Sequence, residues 1–425
     1  MMRKLFVMVV AFVFGYSFSF ADTIRMMQYN LMYYTTSAPS GCNADEDYLN
    51  IKDASYKTIM QYAKPDVLCV NEMGSQSVYV ERFLNNVLNV DGVDYYAHCP
   101  LTNFSGGSIA NMLYYNTHKL SFHSHFYITT AYRDINAYKM YYNSSRLAEG
   151  DTAFVTFLIA HLKAGSYDSN AQQRYTQVVR LMQRLEQIGE ADNYVFSGDF
   201  NLTTSEEASY QHLINYPNSL YKFYDPINAP GNWNNNSNFR NIHTQSTHTY
   251  SENGCFSTGG MDDRFDFILV SPYIYFGSKQ VKSLNQTYKA LGQDGSFFNG
   301  AISAVNSAVP SEVAMALYNG SDHLPVMLDL EVQAELSVGK THAVADLIVA
   351  NPIEENLQLN LFLVEDTQLS FEIYTIEGRL IDRFSQTLDA GASSINRPFN
   401  YPSSFYILKV KDGKNRSLVK KLIKQ

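Results

Sequence analysis

Six short apolar runs constrain the fold of this chain more than any other feature, because each has the length of a buried strand. The runs are Ile24–Tyr29, Val67–Val70, Phe154–Ala160, Tyr194–Phe196, Phe265–Val270 and Val326–Leu330. Helical patterns lie between them, and the strongest is Ser169–Ile188, which Asp168 or Ser169 is predicted to cap. Strands that alternate with helices in this way predict an α/β or α+β domain.

The amino terminus has the pattern of a signal peptide. Arg3 and Lys4 precede the apolar run Leu5–Phe14, and Ser19–Ala21 has the small residues of a cleavage site. We therefore expect residues 1–21 to be a signal peptide and the protein to be exported. No later run reaches the roughly 18 uninterrupted apolar residues of a membrane span, so no transmembrane segment is predicted.

Composition divides the rest of the chain into two domains. With 45% hydrophobic and 17% charged residues, general disorder is excluded. After Val332 the apolar runs become short and alternating, with turn signals at Glu377-Gly378 and Asp412-Gly413. We predict a main domain at 22–332, a linker at 333–342 and a small all-β domain at 343–425.

The net charge of the main domain narrows the range of its binding partners. Residues 22–332 hold 19 basic and 30 acidic side chains, a net charge of −11, which on average repels polyanions. Contact with nucleic acid would then depend on bound cations or on a local Arg cluster.

The four cysteines could pair in three ways, and Cys69, inside an apolar run, is predicted to be a buried small hydrophobe.

Polar residues precede, follow or interrupt all six apolar runs. Four runs are followed by Asn30, Glu72, His161 and Asp199, one contains Asp266, and one is preceded by Asp322-His323. Any one of these residues is usually a turn, cap or structural residue. The set in this order indicates a functional site at the ends of the strands.

Six motifs built on these residues resemble those of the endonuclease/exonuclease/phosphatase family of metal-dependent phosphoesterases, over roughly residues 24–332. The motifs are Met27–Leu31, Lys64–Met73, Ala160–Lys163, Gly198–Asn201, Arg264–Val270 and Ser321–Val326. The resemblance implies a four-layered sandwich, in which two mixed, mostly antiparallel β-sheets are flanked by helices.

The resemblance also implies roles for individual residues. Glu72, Asn30 and Asp322 would hold Mg²⁺, with Mn²⁺ or Ca²⁺ as alternatives, because hard oxygen ligands suit these ions. Asp199 would orient or deprotonate the attacking water. Its neighbour Asn201 would contact the phosphate.

Two imidazoles and one cation complete the implied site. His323 would exchange a proton or stabilise transition-state charge, with Asp266 fixing its tautomer. His161 resembles a second phosphate-contacting imidazole of the secreted nuclease and sphingomyelinase branches. Arg133 is a candidate phosphate-binding cation, although one Arg before a strand is about as often a salt-bridge residue.

The expected function is that of an exported Mg²⁺-dependent phosphodiesterase, and specifically an extracellular nuclease acting on DNA or RNA. One alternative is a sphingomyelinase-like lipid phosphodiesterase, for which Val313–Leu317 would be a membrane-touching loop rather than a packed helix. Another is a catalytically silent surface binding protein. The pancreatic-type deoxyribonuclease branch pairs a Glu with the residue matching His161, but Leu101–Tyr115 contains no acid.

The carboxyl-terminal segment 343–425 resembles the type IX secretion sorting domain, a β-sandwich. The similar segments are Asn351-Pro352, Phe371–Arg379, Phe405–Val410 and Leu418–Lys424. From the residues alone, a generic immunoglobulin-like binding module is the alternative. The resemblance implies the type IX secretion machinery as a partner, and secretion or anchoring at the cell surface as the outcome.

Overall fold

The structure is a computed structural model that describes residues 22–39, 41–145, 147, 152–251, 253–332, 343–414 and 416–425. The predicted signal peptide (1–21) and linker (333–342) lie outside the described residues. The first half of the chain forms β1 (Asp22–Tyr34), α1 (Glu46–Ala63), β2 (Val67–Gly74), α2 (Ser77–Phe83), a π-helical turn (Leu84–Leu88), β3 (Tyr96–His98), β4 (Ile109–Asn116), β5 (Leu120–Ile128), β6 (Ile135–Tyr142) and β7 (Phe154–His161).

The main domain continues with a second set of elements. They are α3 (Asp168–Ile188), β8 (Tyr194–Asp199), α4 (Ala208–Ile214), a 3-10 turn (Ser237–Phe239), β9 (Asp266–Val270), α5 (Pro272–Phe276), β10 (Val281–Ala290), α6 (Ser311–Gly320) and β11 (Val326–Val332). The carboxyl-terminal segment forms β12 (Val344–Val349), β13 (Asn356–Leu363), β14 (Thr367–Thr375), β15 (Leu380–Leu388), β16 (Gly391–Pro398), β17 (Ser404–Lys411) and β18 (Ser417–Lys424).

Two sheets form the centre of the main domain. One has the strand order β10-β11-β1-β2-β4-β3 and the other the order β5-β6-β7-β8-β9. The β1/β2 and β7/β8 pairs are parallel, and the remaining neighbours are antiparallel. The predicted fold of two mixed, mostly antiparallel sheets flanked by helices is therefore confirmed.

Alternation along the strands builds the layers. In β1, Ile24 and Met26 point into the core between the two sheets, while Met27, Tyr29 and Leu31 point into the core beneath α1 and α6. A third core joins the five-stranded sheet to α3 and α4. Because both sheets are covered on both faces, their buried strands read as nearly continuous apolar runs.

Helix α3 is present as predicted, but its amino end differs. Val178, Leu181, Met182 and Leu185 are buried against the sheet. The residue in the cap position is Tyr167, which makes no side-chain cap hydrogen bond, so the predicted cap at Asp168 or Ser169 was wrong. Asp168 instead lies in the first turn of the helix, where a carboxylate interacts favourably with the helix dipole.

Helix α6 packs against α1, so the segment 313–317 is a packed helix rather than a membrane-touching loop. Val313, Ala314, Ala316 and Leu317 are buried, and Met315 is exposed. Among the described residues, every helix is too short or too polar to cross a membrane.

Strands β12–β18 form the predicted all-β region at the carboxyl end. Its two sheets have the orders β12-β13-β16 and β15-β14-β17-β18. Leu359, Phe371, Leu408 and Leu422 are among the residues that fill the core between them.

Candidate active site

The register of the five-stranded sheet places three predicted site residues side by side. His161 on β7 lies opposite Asp199 on β8, and Asp199 lies opposite Asp266 on β9. Gly198 precedes Asp199 with φ of 150°, and a Cβ there would lie 1.7 Å from the carbonyl oxygen of Ala160. Glycine is required at this position because the backbones of β7 and β8 approach too closely for a side chain.

The six-stranded sheet contributes Asn30 and Glu72. Asn30 on β1 is in parallel register with Asn71 on β2, and Glu72 follows directly. Glu72 has φ of 59°, a conformation that non-glycine residues rarely adopt and that is concentrated at functional sites. The Glu72 carboxylate thereby reaches the ends of the opposite sheet.

Glu72, His161 and Asp199 form one compact cluster of ligand-type atoms, all within 4.8 Å of one another. Nε2 of His161 lies 3.4 Å from Oδ2 of Asp199, and Nδ1 lies 3.8 Å from Oε1 of Glu72. Nδ2 of Asn30 donates to Oε1 of Glu72 (3.1 Å) and to Oδ2 of Asp199 (3.0 Å). Oδ1 of Asn30 accepts a hydrogen bond from the backbone N–H of Met32 (2.9 Å).

His323 is buried beside this cluster and is held from both sides. Its Nδ1 lies 2.7 Å from Oδ2 of Asp266, while Nε2 faces the cluster at 3.8 Å from Oδ2 of Asp199. Nε2 is also 2.7 Å from Nε2 of Gln245. We did not predict Gln245, because a single Gln in a loop carries no motif.

Asp322 lies next to His323. Oδ1 of Asp322 is 3.9 Å from Nε2 of His323, and Oδ2 accepts the backbone N–H of Ser257 at 2.8 Å. The Ser257 loop is joined to the loop after β1 by the disulfide Cys42–Cys255. Cys69 and Cys99 are buried and free, and Cys69 is the buried residue that was predicted.

Asn201 and Arg133 support the cluster from the five-stranded sheet. The backbone N–H and Nδ2 of Asn201 both donate to Oδ1 of Asp199, at 3.0 and 2.8 Å. The partly buried Arg133 donates from Nε to the carbonyl of His161 and from Nη2 to the carbonyl of Leu162, both at 3.1 Å. All of the predicted site residues therefore converge at this one edge of the two sheets.

A chain of buried amides beneath the cluster was not foreseen from the sequence. Oδ1 of Asn71 accepts from Nε2 of Gln28 (2.7 Å) and from the backbone N–H of Asp199 (2.9 Å). Nδ2 of Asn71 donates to Oδ1 of Asn111 (2.7 Å) and to the carbonyl of Ala160 (3.1 Å). Asn71 thus ties the two sheets together directly below Asp199.

A buried lysine on α1 fixes the two backbone segments that carry Asn30 and His323. Nζ of Lys52 donates to the carbonyls of Leu31 (2.8 Å) and Gly320 (2.6 Å). Burial lowers the pKa of Lys52 to about 7. Lys52 holds these two backbone segments together from the side of α1.

Burial and mutual repulsion perturb the carboxyl groups of the cluster. Burial, followed by the negative charge of Asp266 and Glu72, raises the pKa of Asp199 to about 7, although His323 opposes this rise. Burial, together with the charge of Asp322, also raises the pKa of Glu72. Crowded carboxylates with raised pKa values favour binding of a cation or a proton.

The two imidazoles have opposite electrostatic character. Burial alone would lower the pKa of His323, but the Asp266 carboxylate outweighs it and the pKa is raised well above its usual value. Burial, with the positive charges of Arg133 and His323, lowers the pKa of His161 well below its usual value. Among the described residues Nδ1 of His161 has no hydrogen-bond partner, in keeping with the absence of acid in Leu101–Tyr115.

Comparison with known proteins agrees with this arrangement. Residues 27–323 match the model of the Endonuclease/Exonuclease/phosphatase family, and residues 349–425 match the Secretion system C-terminal sorting domain. A search of curated proteins finds no match.

Solved structures similar to this chain include the following three. Humanized D. rerio TDP2 is 16% identical and covers 72% of this chain and 98% of its own, with a TM-score of 0.44. The human Nocturnin catalytic domain with bound sulfate is 15% identical, at 73% and 97% coverage and a TM-score of 0.44. An endonuclease/exonuclease/phosphatase from Beutenbergia cavernae is 11% identical, at 94% and 100% coverage and a TM-score of 0.41.

The family match covers more than half of the chain and includes the strands and loops that carry the cluster. The carboxyl-terminal match covers most of the all-β region. The chain therefore belongs to the endonuclease/exonuclease/phosphatase family, whose members are hydrolases acting on phosphoesters, and carries a type IX secretion sorting domain.

Proposed function

We propose that this protein is an exported, Mg²⁺-dependent phosphodiesterase that cleaves extracellular nucleic acid. The observation that carries the proposal is the juxtaposition of a carboxylate–imidazole cluster with a second imidazole held by its own carboxylate. Nε2 of that imidazole, His323, faces Asp199 at 3.8 Å, and Nδ1 lies 2.7 Å from Asp266. Hydrolysis of a phosphodiester needs a group that neutralises charge, a positioned base and an acid. The residues of this site include a candidate for each of the three.

The residues present fit a divalent cation. Two carboxylates and an imidazole place ligand-type atoms within 4.8 Å of one another, and both carboxylates have raised pKa values that a cation would relieve. In the proposal Glu72, Asn30 and Asp322 hold the ion. When bound, Mg²⁺ would neutralise charge on the phosphate oxygens.

Asp199 is proposed to orient and deprotonate the attacking water. A pKa of about 7 places the carboxylate near the value at which a base works best at neutral pH. Asn201 holds Oδ1 of Asp199 with two hydrogen bonds, which leaves Oδ2 directed toward His161 and His323. Asn201 is also proposed to contact the phosphate.

His323 is proposed to stabilise the negative charge that develops on the phosphate and to exchange a proton with it. Asp266 keeps the imidazole charged and oriented, which are the two conditions for this role. His161 and Arg133 are proposed to bind the phosphate oxygens. The lowered pKa of His161 favours the neutral imidazole, so it would bind as a hydrogen-bond donor rather than as a cation.

The sorting domain implies export followed by surface attachment or release. Together with the predicted signal peptide, this supports a substrate met outside the cell. Extracellular DNA or RNA is the phosphodiester that we propose, because an exported hydrolase of this class could release nucleotides and phosphate from it.

The test is hydrolysis by the purified chain, with Mg²⁺ and with chelator, of plasmid DNA, RNA, sphingomyelin vesicles and bis(p-nitrophenyl) phosphate. We expect nucleic-acid cleavage that chelator abolishes and that His323→Ala and Glu72→Gln each remove. Asp329→Asn, which changes an ion pair with Arg25 near the start of β1, is the matched control.

Other outcomes would point to other functions. Turnover of sphingomyelin alone would favour the lipid phosphodiesterase and contradict the nuclease. A chain that binds nucleic acid or lipid but hydrolyses none of the four substrates would be a binding protein on a silent fold.

A further inference from the structure

An exposed aromatic surface lies beside the phosphate-binding side of the site and has no role in the chemistry described above. Its members are Phe104, Tyr127, Tyr132 and Lys163, which we call the aromatic rim. Phe104 is 62% exposed and stacks on Tyr127 with ring centroids 4.1 Å apart. Large aromatic rings exposed together next to a site are uncommon on a soluble surface and point to a ligand.

The rim is anchored directly to the site. The backbone N–H groups of Phe104 and Ser105 donate to the carboxylate of Asp134, and Asp134 is buried. The preceding residue, Arg133, donates to the carbonyls of His161 and Leu162. The Phe104 loop is therefore linked through Asp134 and Arg133 to the backbone of His161.

The order of the strands gives the approximate distance between the aromatic rim and the site. Tyr127 is on β5, two strands from His161 on β7 and three from Asp199 on β8. At about 4.8 Å per strand, Tyr127 is about 10 Å from the strand of His161 and about 15 Å from that of Asp199. A substrate held at the site would need to extend beyond one phosphate to reach the rim.

A cation borders one of the exposed aromatic rings. Nζ of Lys163 lies 5.5 Å from the centroid of the Tyr132 ring, and Tyr132 is 37% exposed. Arg174 donates to the carbonyls of Lys163 and Gly165 and so holds this loop in place. The rim therefore combines exposed ring faces with a positive charge, two features of surfaces that bind unpaired bases and their phosphates.

We propose that the aromatic rim binds a single-stranded segment of nucleic acid, with bases stacked on Phe104 and Tyr132 and backbone phosphates beside Arg133 and Lys163. This rests on the proposed function and names its preferred substrate. A single strand is favoured over a duplex because duplex bases already stack on each other. The net charge of −11 over residues 22–332 also disfavours long tracking of a phosphate backbone.

The experiment measures binding, so that it does not depend on turnover. A labelled 12-nucleotide single strand, its duplex and sphingomyelin vesicles are each titrated with the purified chain in the His323→Ala background, with Ca²⁺ present. We expect the single strand to bind more tightly than the duplex. Phe104→Ala should weaken single-strand binding about tenfold, as expected for loss of one stacked base.

Two further variants separate binding from structure. Phe104→Tyr keeps the ring and should restore most of the affinity, and a thermal midpoint for each variant reports folding. Tyr62→Ala removes an exposed ring on α1, outside the rim, and should bind the strand like the parent.

Equal binding by Phe104→Ala and the parent would overturn the proposal, as would duplex binding as tight as that of the single strand. Binding of vesicles without binding of the strand would assign the rim to a lipid instead. Hydrolysis of bis(p-nitrophenyl) phosphate by the unmodified chain tests the phosphodiesterase separately. If the unmodified chain does not hydrolyse this substrate, the proposed function is contradicted. If it hydrolyses the substrate but does not bind the single strand, only the proposed role of the aromatic rim is contradicted.

Discussion

Nδ1 of His323 lies 2.7 Å from Oδ2 of Asp266, and the two residues come from different segments of the chain that meet only in the folded domain. Both side chains are buried, and the other carboxylate oxygen of Asp266 has no hydrogen-bond partner among the described residues. Among the described residues, the carboxylate of Asp266 therefore hydrogen-bonds only to His323. Such a pairing fixes the tautomer of the imidazole and directs Nε2 toward the cluster.

Asp266→Asn should reduce kcat by about 100-fold or more, because the amide cannot stabilise a charged imidazole. The pKa of His323 should fall as well, since Asp266 is the main group that raises it. Steady-state kinetics against pH would measure both effects. Asp329→Asn is the matched control, and near-normal turnover in Asp266→Asn would separate the pair from catalysis.

The contribution of Asp199 to the stability of the ion-free protein should decrease as pH rises through neutrality. The pKa of Asp199 in the folded chain is about 7, above the ordinary value of 3.8. This group therefore contributes stability that is fully present below pH 3.8 and is lost as pH rises through about 7. Thermal unfolding between pH 5 and pH 8.5 in chelator would measure the trend, with Asp199→Asn as the variant in which it weakens.

Mg²⁺ should raise the thermal midpoint more at pH 8 than at pH 5, because the ion binds the charged form of the cluster. At 100 times its Kd, an ion that binds only the folded chain adds about 2.7 kcal/mol. Glu72→Gln should remove most of this shift. An equal shift at both pH values, or in Glu72→Gln, would place the ion elsewhere.

Asn71→Ala should destabilise the main domain by roughly 2 kcal/mol or more, because it leaves buried partners unsatisfied. Those partners are Nε2 of Gln28, the backbone N–H of Asp199 and Oδ1 of Asn111. Urea unfolding gives the free energy, and kinetics on the folded fraction should show a lower kcat because Asp199 loses a positioning bond. Asn86→Ala, which changes a more exposed amide, is the control.

Replacing both Cys42 and Cys255 by Ser should lower the free energy of unfolding by about 2–4 kcal/mol, because the bridge closes a long loop. The bridge spans 213 residues and joins the loop that carries Ser257, whose N–H donates to Asp322. Reductant should destabilise the parent and leave the double variant unchanged. Equal sensitivity to reductant in both would contradict the pairing.

Local patterns in the sequence indicated the strands β1, β2, β7, β8, β9 and β11 and the helix α3. Helix α3 and the buried strands follow from apolar periodicity, which depends on neighbours within a few residues. Gly198 belongs to a motif that is visible in the sequence, although the reason for it, the close approach of β7 and β8, is a tertiary contact. The site residues were predicted because motif residues follow these strands, and their catalytic roles stay predictions.

Tertiary structure alone decided which side chains meet. Asn30 and His323 are separated by 293 positions, and Cys42 and Cys255 by 213, so no local pattern links them. Gln245, the buried amides around Asn71 and the stack of Phe104 on Tyr127 also depend on how the two sheets face each other. The physical reason is that hydrophobic burial is non-directional: it specifies that strands pack, whereas register and hydrogen bonding across the packed sheets specify the contacts.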